Sequence, residues 1–237
     1  MAACDTRLQQ VRDAIAAAHK ECSPTEKRQY YDQWSGQYEE DVSVLEYKAP
    51  HLAAIALASV CKLNQKSKLV LDVACGTGLV AEELLRFGFK LFDGLDGSAG
   101  MLEVAKHKGL YQELKECMLG QGPLPSDSDK YDAVIIVGAL SDGNVPVAVV
   151  PELLRVTKPG GLLCLTTRSN FSNLQYKCDL EKAMSDLQNK GLWEQISVEE
   201  VEQWERATSE TEVTKDSDYI PGIIYLYRKT ASSSTVH

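Results

Sequence analysis

Apolar residues recur three and four apart at Leu8, Val11, Ile15 and Ala18, which predicts a short amphipathic helix over residues 5–20. Ser23, Pro24 and Glu26 then make a helix-start signature: a Ser cap, a Pro where no N–H is missed, and a Glu placed to reach back. The helix beginning there carries QYYDQWSGQYEEDV, in which Tyr30, Trp34 and Tyr38 fall four apart and share a face if the helix persists past Gly36. A third helix is expected from about Pro50 to Cys61. From Lys68 the pattern changes to strand-like runs separated by helical ones. The strands read LVLDVA, KLFDGLD, a weaker LKECML, YDAVIIVG and GLLCLTT, with helices at 79–88, 98–108 and 146–157. Lys158, Pro159, Gly160 and Gly161 should stop the last of these. A helical segment from Asn173 to Lys190, a strand near Trp193 to Arg206 and a final strand IIYLYRK follow, and the polar tail ASSSTVH is expected to be disordered. Alternating strands and helices define an α/β fold, a parallel sheet with helices on both faces. Residues 1–64 read as an N-terminal helical cap or lid, 65–230 as the sheet domain and 231–237 as the tail.

Composition narrows the classes. With 237 residues and 44% hydrophobic content, one core is expected. A formal charge of −9, with no basic cluster, argues against a grip on nucleic acid backbone. Seven cysteines (Cys4, Cys22, Cys61, Cys75, Cys117, Cys164 and Cys178) lack metal-ligand spacing and suggest no disulfide framework, so a reducing compartment fits. No stretch is long and apolar enough to span a bilayer. The expected setting is the cytoplasm, with the nucleus as second choice, and the expected state is a monomer. His19, His51, His107 and His237 are scattered, and no metal is expected. Cys75 and Cys164 read as core fillers.

The chemistry is concentrated in LVLDVACGTGLVAEEL, residues 69–84: an apolar strand ending in an acid, a glycine loop and a helix whose free N–H groups face the loop. Gly76, Gly78 and Ala81 satisfy the dinucleotide fingerprint G-x-G-x-x-A, and Asp96 lies 18 residues past Gly78, where a ribose-binding acid belongs. A nicotinamide enzyme is therefore one reading. Asp72 opposes it, because a carboxylate four residues before Gly76 would stand near a pyrophosphate. It suits a cationic ligand such as S-adenosylmethionine, which carries an ammonium and a sulfonium.

The strings VLDVACGTG, GLDGSAGML, YDAVIIVGAL and LLRVTKPGG, in this order and spacing, resemble the class I S-adenosylmethionine-dependent methyltransferases. YYDQWSGQYEEDV, the SDG after VGAL, and TTRSNFSNLQYK narrow the resemblance to one branch of that class. It covers nearly the whole chain up to about Trp193. The resemblance implies a Rossmann-like, mostly parallel seven-stranded sheet whose last strand is antiparallel, and methyl transfer that leaves S-adenosylhomocysteine. It also implies residue roles. Asp72 would orient the loop and the methionine ammonium, while the backbone of Ala74, Cys75, Gly76 and Gly78 lines methionine and ribose. Asp96 would accept both ribose hydroxyls, and Gly97 and Met101 would flank the adenine. Leu119, Gly120 and Gln121 would meet the adenine amino group, although Gln121 stands where an Asp is usual. Val137 completes the expected cofactor wall, and part of the cluster Tyr30, Tyr31, Trp34 and Tyr38 would cap the ligand, with Tyr31 and Trp34 the chosen pair.

Methyl transfer from a sulfonium needs chiefly alignment of nucleophile, carbon and sulfur. Candidates for holding the acceptor lie at the carboxyl ends of the fourth and fifth strands: Ser141, Asp142, Asn144, Arg168 and Asn170. No catalytic residue is assigned from sequence. The acidic surface and helical cap point to a small-molecule acceptor; a cofactor-binding regulator without catalysis is the other reading.

Overall fold

The computed structural model describes residues 2–19, 23–207, 212 and 217–231. Cys22, the tail from Ser232 with His237, and the side chains of Cys4, Ala18 and His19 lie outside the described residues. One sheet of seven strands organises the chain: β1 (Leu69–Val73), β2 (Leu91–Asp96), β3 (Tyr111–Glu116), β4 (Tyr131–Leu140), β5 (Thr157–Arg168), β6 (Trp193–Arg206) and β7 (Tyr219–Lys229). Their order is β3-β2-β1-β4-β5-β7-β6, with β1 to β5 parallel and β7 antiparallel to both of its neighbours. This is the class I methyltransferase arrangement that the resemblance implied.

Alternation along the strands divides the core. Leu71, Val73, Val134 and Ile136 face α7 (Val150–Val156) and α8 (Leu174–Asn189), whereas Val70, Ala133 and Ile135 face α4 (Ala49–Val60) and α5 (Leu79–Arg86). Trp193, at the start of β6, stacks on Tyr227 at 4.2 Å and donates its indole N–H to the Met184 carbonyl. Between β2 and β3 lies α6 (Ala99–His107).

The N-terminal helices are α1 (Ala2–His19), α2 (Pro24–Trp34) and α3 (Tyr38–Val44). Ser23 caps α2 through the capping box with Glu26 that the sequence signals. The expected continuous helix past Gly36 does not form: α2 ends at Trp34, and Gln37 donates back to the Trp34 carbonyl before α3 begins. Gly36, a poor helix former, and the turn around it reorient the chain. Trp34 and Tyr38 still meet edge to face at 5.0 Å. Two further differences concern boundaries. Strand β3 starts at Tyr111, earlier than LKECML, and the Lys158–Gly161 turn falls inside β5 as a register shift between Thr157 and Leu162.

Candidate functional site

Strand order reverses beside β1, between β2 and β4, and a crevice opens there at the carboxyl ends of the strands. Its walls enclose about 170 Å³ and include Tyr31, Ala74, Asp96, Met101, Leu119 and Val137. The loop after β1 is held in the left-handed region, with Ala74 at φ 55°, Gly76 at 54° and Gly78 at 95°. That path turns the Gly76 N–H toward β2, where Asp96 Oδ2 accepts it at 2.8 Å. Asp96 Oδ1 accepts the Ser98 N–H at 2.8 Å. Burial raises the Asp96 pKa, and the backbone donors Ser98, Gly76 and Gly97 pull it back. A carboxylate has about four lone-pair sites. Asp96 therefore keeps acceptor capacity toward the crevice after its backbone bonds.

Asp72 lies beneath the loop, 1% exposed. Its Oδ2 accepts the Tyr111 hydroxyl at 2.7 Å, and its Oδ1 has no hydrogen-bond partner among the described residues. Burial pushes its pKa up to about 7, with the Tyr111 bond opposing and Asp96 adding to the rise. Thr77 Oγ1, also buried in this loop, likewise has no hydrogen-bond partner among the described residues. Buried polar groups are normally satisfied. An orphaned carboxylate oxygen under a glycine loop fits a cationic ligand group, so the donor set suits S-adenosylmethionine.

The other expected residues divide. Gly97 joins the wall with Met101, whereas Cys75 and Gly78 shape the loop from below and behind. Cys75 packs under β2, its N–H on the Leu95 carbonyl, and burial raises its thiol pKa. Gln121 is exposed and Gly120 packs against Pro146, so this side of the wall is formed by Cys117, Met118 and Leu119. The reason is local: β3 ends at Glu116, and the chain turns away after Leu119.

Trp34 also departs from expectation. Its indole donates to Asp41 Oδ2 at 2.7 Å, and its ring packs against Val11, Ile15 and Leu45, away from the crevice. Tyr30 likewise turns to the Ala14 carbonyl. Tyr31 and Tyr38 remain in the crevice wall.

A second cavity of about 60 Å³ adjoins the crevice, sharing Tyr31, Tyr38 and Gly138 with it. Tyr47, Ser141, Arg168 and Glu205 line it, with Trp34, Leu45 and Trp204 as apolar walls. Gly138 takes φ 72°, and the Tyr47 hydroxyl occupies the place a Cβ would take. Arg168 Nε stands 2.8 Å from Glu205 Oε1. Of the remaining acceptor candidates, Asn144 lines the cofactor crevice. Asp142 gives its backbone N–H to Asn173, and Asn170 Nδ2 goes to Ser172 and Glu212, so both serve loop geometry outside this cavity. Tyr47 and Glu205 had no signal in the sequence beyond an ordinary helix approach and an ordinary strand end.

A methyltransferase domain model matches residues 71–165. Methyltransferase-like protein 27 of Homo sapiens is 54% identical over 187 residues, covering 79% of this chain and 76% of that protein. The ubiquinone biosynthesis O-methyltransferase of Coxiella burnetii is 30% identical over 118 residues, 48% of this chain and 50% of that enzyme. Among solved structures, an SAM-dependent methyltransferase from Methanosarcina mazei superposes with a TM-score of 0.52 at 18% identity, covering 73% of this chain and 97% of that one. Fold, loop and comparisons together define a class I S-adenosylmethionine-dependent methyltransferase. Within that class the chain belongs to the methyltransferase-like protein 27 family. The nicotinamide reading is set aside, and the cofactor is S-adenosylmethionine.

Proposed function

We propose that the enzyme methylates a small molecule held in the inner cavity, with the cofactor in the adjoining crevice. The observation that carries this reading is the shared wall: Tyr31, Tyr38 and Gly138 border both spaces, so an acceptor and a methyl donor can meet there. A bound S-adenosylmethionine supplies an activated methyl group, and the chain's task is alignment and exclusion of water. Asp96 would hold the ribose, Asp72 the ammonium side, and Met101 and Leu119 the adenine. Lys27 and Arg28 of α2 close the rim by bonding Gly143, Asn144 and Glu116. The small cavity supports a small acceptor or the narrow reacting end of one. The likeness to a quinone-pathway O-methyltransferase supports the same class.

The reading includes a cytoplasmic monomer: the thiols of Cys75 and Cys164 are packed in the core, as suits a reducing compartment. The direct test is methyl-labelled S-adenosylmethionine incubated with the protein and a deproteinised cell extract. Label in the small-molecule fraction is expected; label confined to added protein or RNA would overturn the reading. Light scattering on the eluted protein tests the monomer.

A further inference from the structure

Methylation of a hydroxyl or amine releases a proton, and something must take it. The inner cavity carries few groups able to do so. Burial is the main cause raising the Tyr38 and Tyr47 phenols above their ordinary value, and nearby negative charge adds to it, so both stay protonated at neutral pH. Arg168 keeps its charge and has no acceptor lone pair. Among the described residues, Glu205 is the one carboxylate in the wall.

Three features set this carboxylate apart. It is 3% exposed, so it is withheld from bulk water. Its Oε1 is paired with Arg168 Nε at 2.8 Å, and no other partner meets that oxygen among the described residues. Its strand is fixed on both sides: Trp204 lies flat on the backbone of Gly222, and Arg206 turns outward to Glu46. Burial raises the Glu205 pKa, Arg168 pulls it back and Glu212 adds to the rise. The result is a carboxylate more basic than usual, next to a permanent cation. The charges of Glu205 and Asp96 both act on the Tyr38 phenol.

We propose that Glu205 is the catalytic base of the methyl transfer, taking the proton of a neutral O–H or N–H acceptor, and that Arg168 is the positioning residue that holds its carboxylate. This rests on the small-molecule reading above. Glu205 removes the proton as the acceptor's lone pair bonds to the methyl carbon and the carbon–sulfur bond breaks. The positive charge lost from sulfur balances the proton gained by Glu205, which then returns it to solvent. The cavity, about 60 Å³, is smaller than the roughly 150 Å³ that admits benzene. In this closed form it takes only the reacting end of the acceptor. The substrate class is therefore a small hydroxyl- or amine-bearing molecule whose nucleophile is protonated at neutral pH. An acceptor already ionised, such as a carboxylate, would face Glu205 with like charge.

The test compares wild type with Glu205→Gln and Glu205→Asp, reading initial rates of label transfer from methyl-labelled S-adenosylmethionine into the small molecules of a deproteinised extract. Calorimetry with S-adenosylhomocysteine checks the fold and should agree within about twofold for all three. Glu205→Gln should lower the rate at least ~100-fold, the usual scale of general-base catalysis. The rise in rate with pH expected of wild type should vanish in its residual activity. Tyr38 of α3, Tyr47, Arg168 of β5 and Glu212 also face this carboxylate, but they are unchanged in the variant and cannot remove the rise. Glu205→Asp should retain the rise at an intermediate rate. An unchanged Glu205→Gln rate, a persisting pH rise, or an Asp variant no better than Gln would each overturn the assignment. If wild type labels only macromolecules, the small-molecule reading fails first and takes this inference with it.

Discussion

Tyr111, the first residue of β3, donates its hydroxyl to Asp72 Oδ2 on β1 at 2.7 Å, reaching across the intervening strand β2. The bond leaves Asp72 Oδ1 without a hydrogen-bond partner among the described residues, beneath the glycine loop. Because burial holds the Asp72 pKa at about 7 instead of 3.8, the folded protein keeps a proton that the unfolded chain releases. This group therefore lowers stability as pH rises from about 3.8 to about 7, by on the order of a few kcal/mol in full. A ligand ammonium reverses the preference, favouring the ionised carboxylate. Affinity for S-adenosylhomocysteine should accordingly rise between pH 6 and pH 8, with proton release visible as a buffer-dependent binding enthalpy. Asp72→Asn should flatten that dependence; titration calorimetry at three pH values decides.

The same reach depends on Gly94. A Cβ there would sit 2.7 Å from Leu114 Cδ2, 2.9 Å from Tyr111 Cε1 and 3.0 Å from Cys75 Sγ. Tyr111 packs against the core, Cys75 is buried and Leu114 is half-buried. Gly94→Ala should thus cost about 1–3 kcal/mol, the usual price of overpacking, and push the Tyr111 ring off Asp72. Chemical denaturation gives the stability loss. A cofactor affinity that falls more than that of Tyr111→Phe would show that the loop itself has moved.

Asp96 binds the loop to β2 through Gly76 and Ser98, and faces the crevice with its remaining acceptor capacity. Asp96→Ala should weaken cofactor binding by roughly 1.5–3 kcal/mol, the worth of hydrogen bonds to a charged group. An unchanged dissociation constant would mean that the ribose lies elsewhere.

Much of this was legible in sequence because it is local. The Ser23–Glu26 capping box, the β1 loop and the Asp96 position are each set by residues a few places apart, or by one strand-turn-helix unit. The helix break at Gly36 was harder to read. Trp34 and Tyr38 keep their contact through the turn, so spacing alone could not distinguish a continuous helix from two. Gln121 occupies the expected sequence position but leaves the wall because the chain turns after Leu119. Glu205 was invisible for a different reason. On an edge strand rich in exposed acids, its burial depends on β5, α3 and the segment before α4 closing over it. Those are long-range contacts that no spacing encodes.

One residue of α2 ties the N-terminal helices to the crevice. Asp32 of α2 accepts the Ser98 hydroxyl at 2.6 Å and the Gly100 N–H at 2.9 Å, at the start of α6. Ser98 in turn caps α6 by accepting the Met101 N–H, and its own N–H lies on Asp96. Burial works to raise the Asp32 pKa, but the bonds from Ser98 and Gly100 outweigh it and hold it below the ordinary value. The ionised form is the one that clamps. Asp32→Ala should remove roughly 1 kcal/mol of capping and charge–dipole stabilisation, little of which the global fold needs. Its larger effect should fall on access: with Tyr31 and the rim residues Lys27 and Arg28 carried on the same helix, a looser α2 opens the crevice. S-adenosylhomocysteine should then leave several-fold faster, and amide exchange in residues 24–34 should quicken while that of β1 and β4 stays unchanged. Stopped-flow release and hydrogen exchange measure the two; equal release rates from variant and wild type would show that α2 does not gate the cofactor.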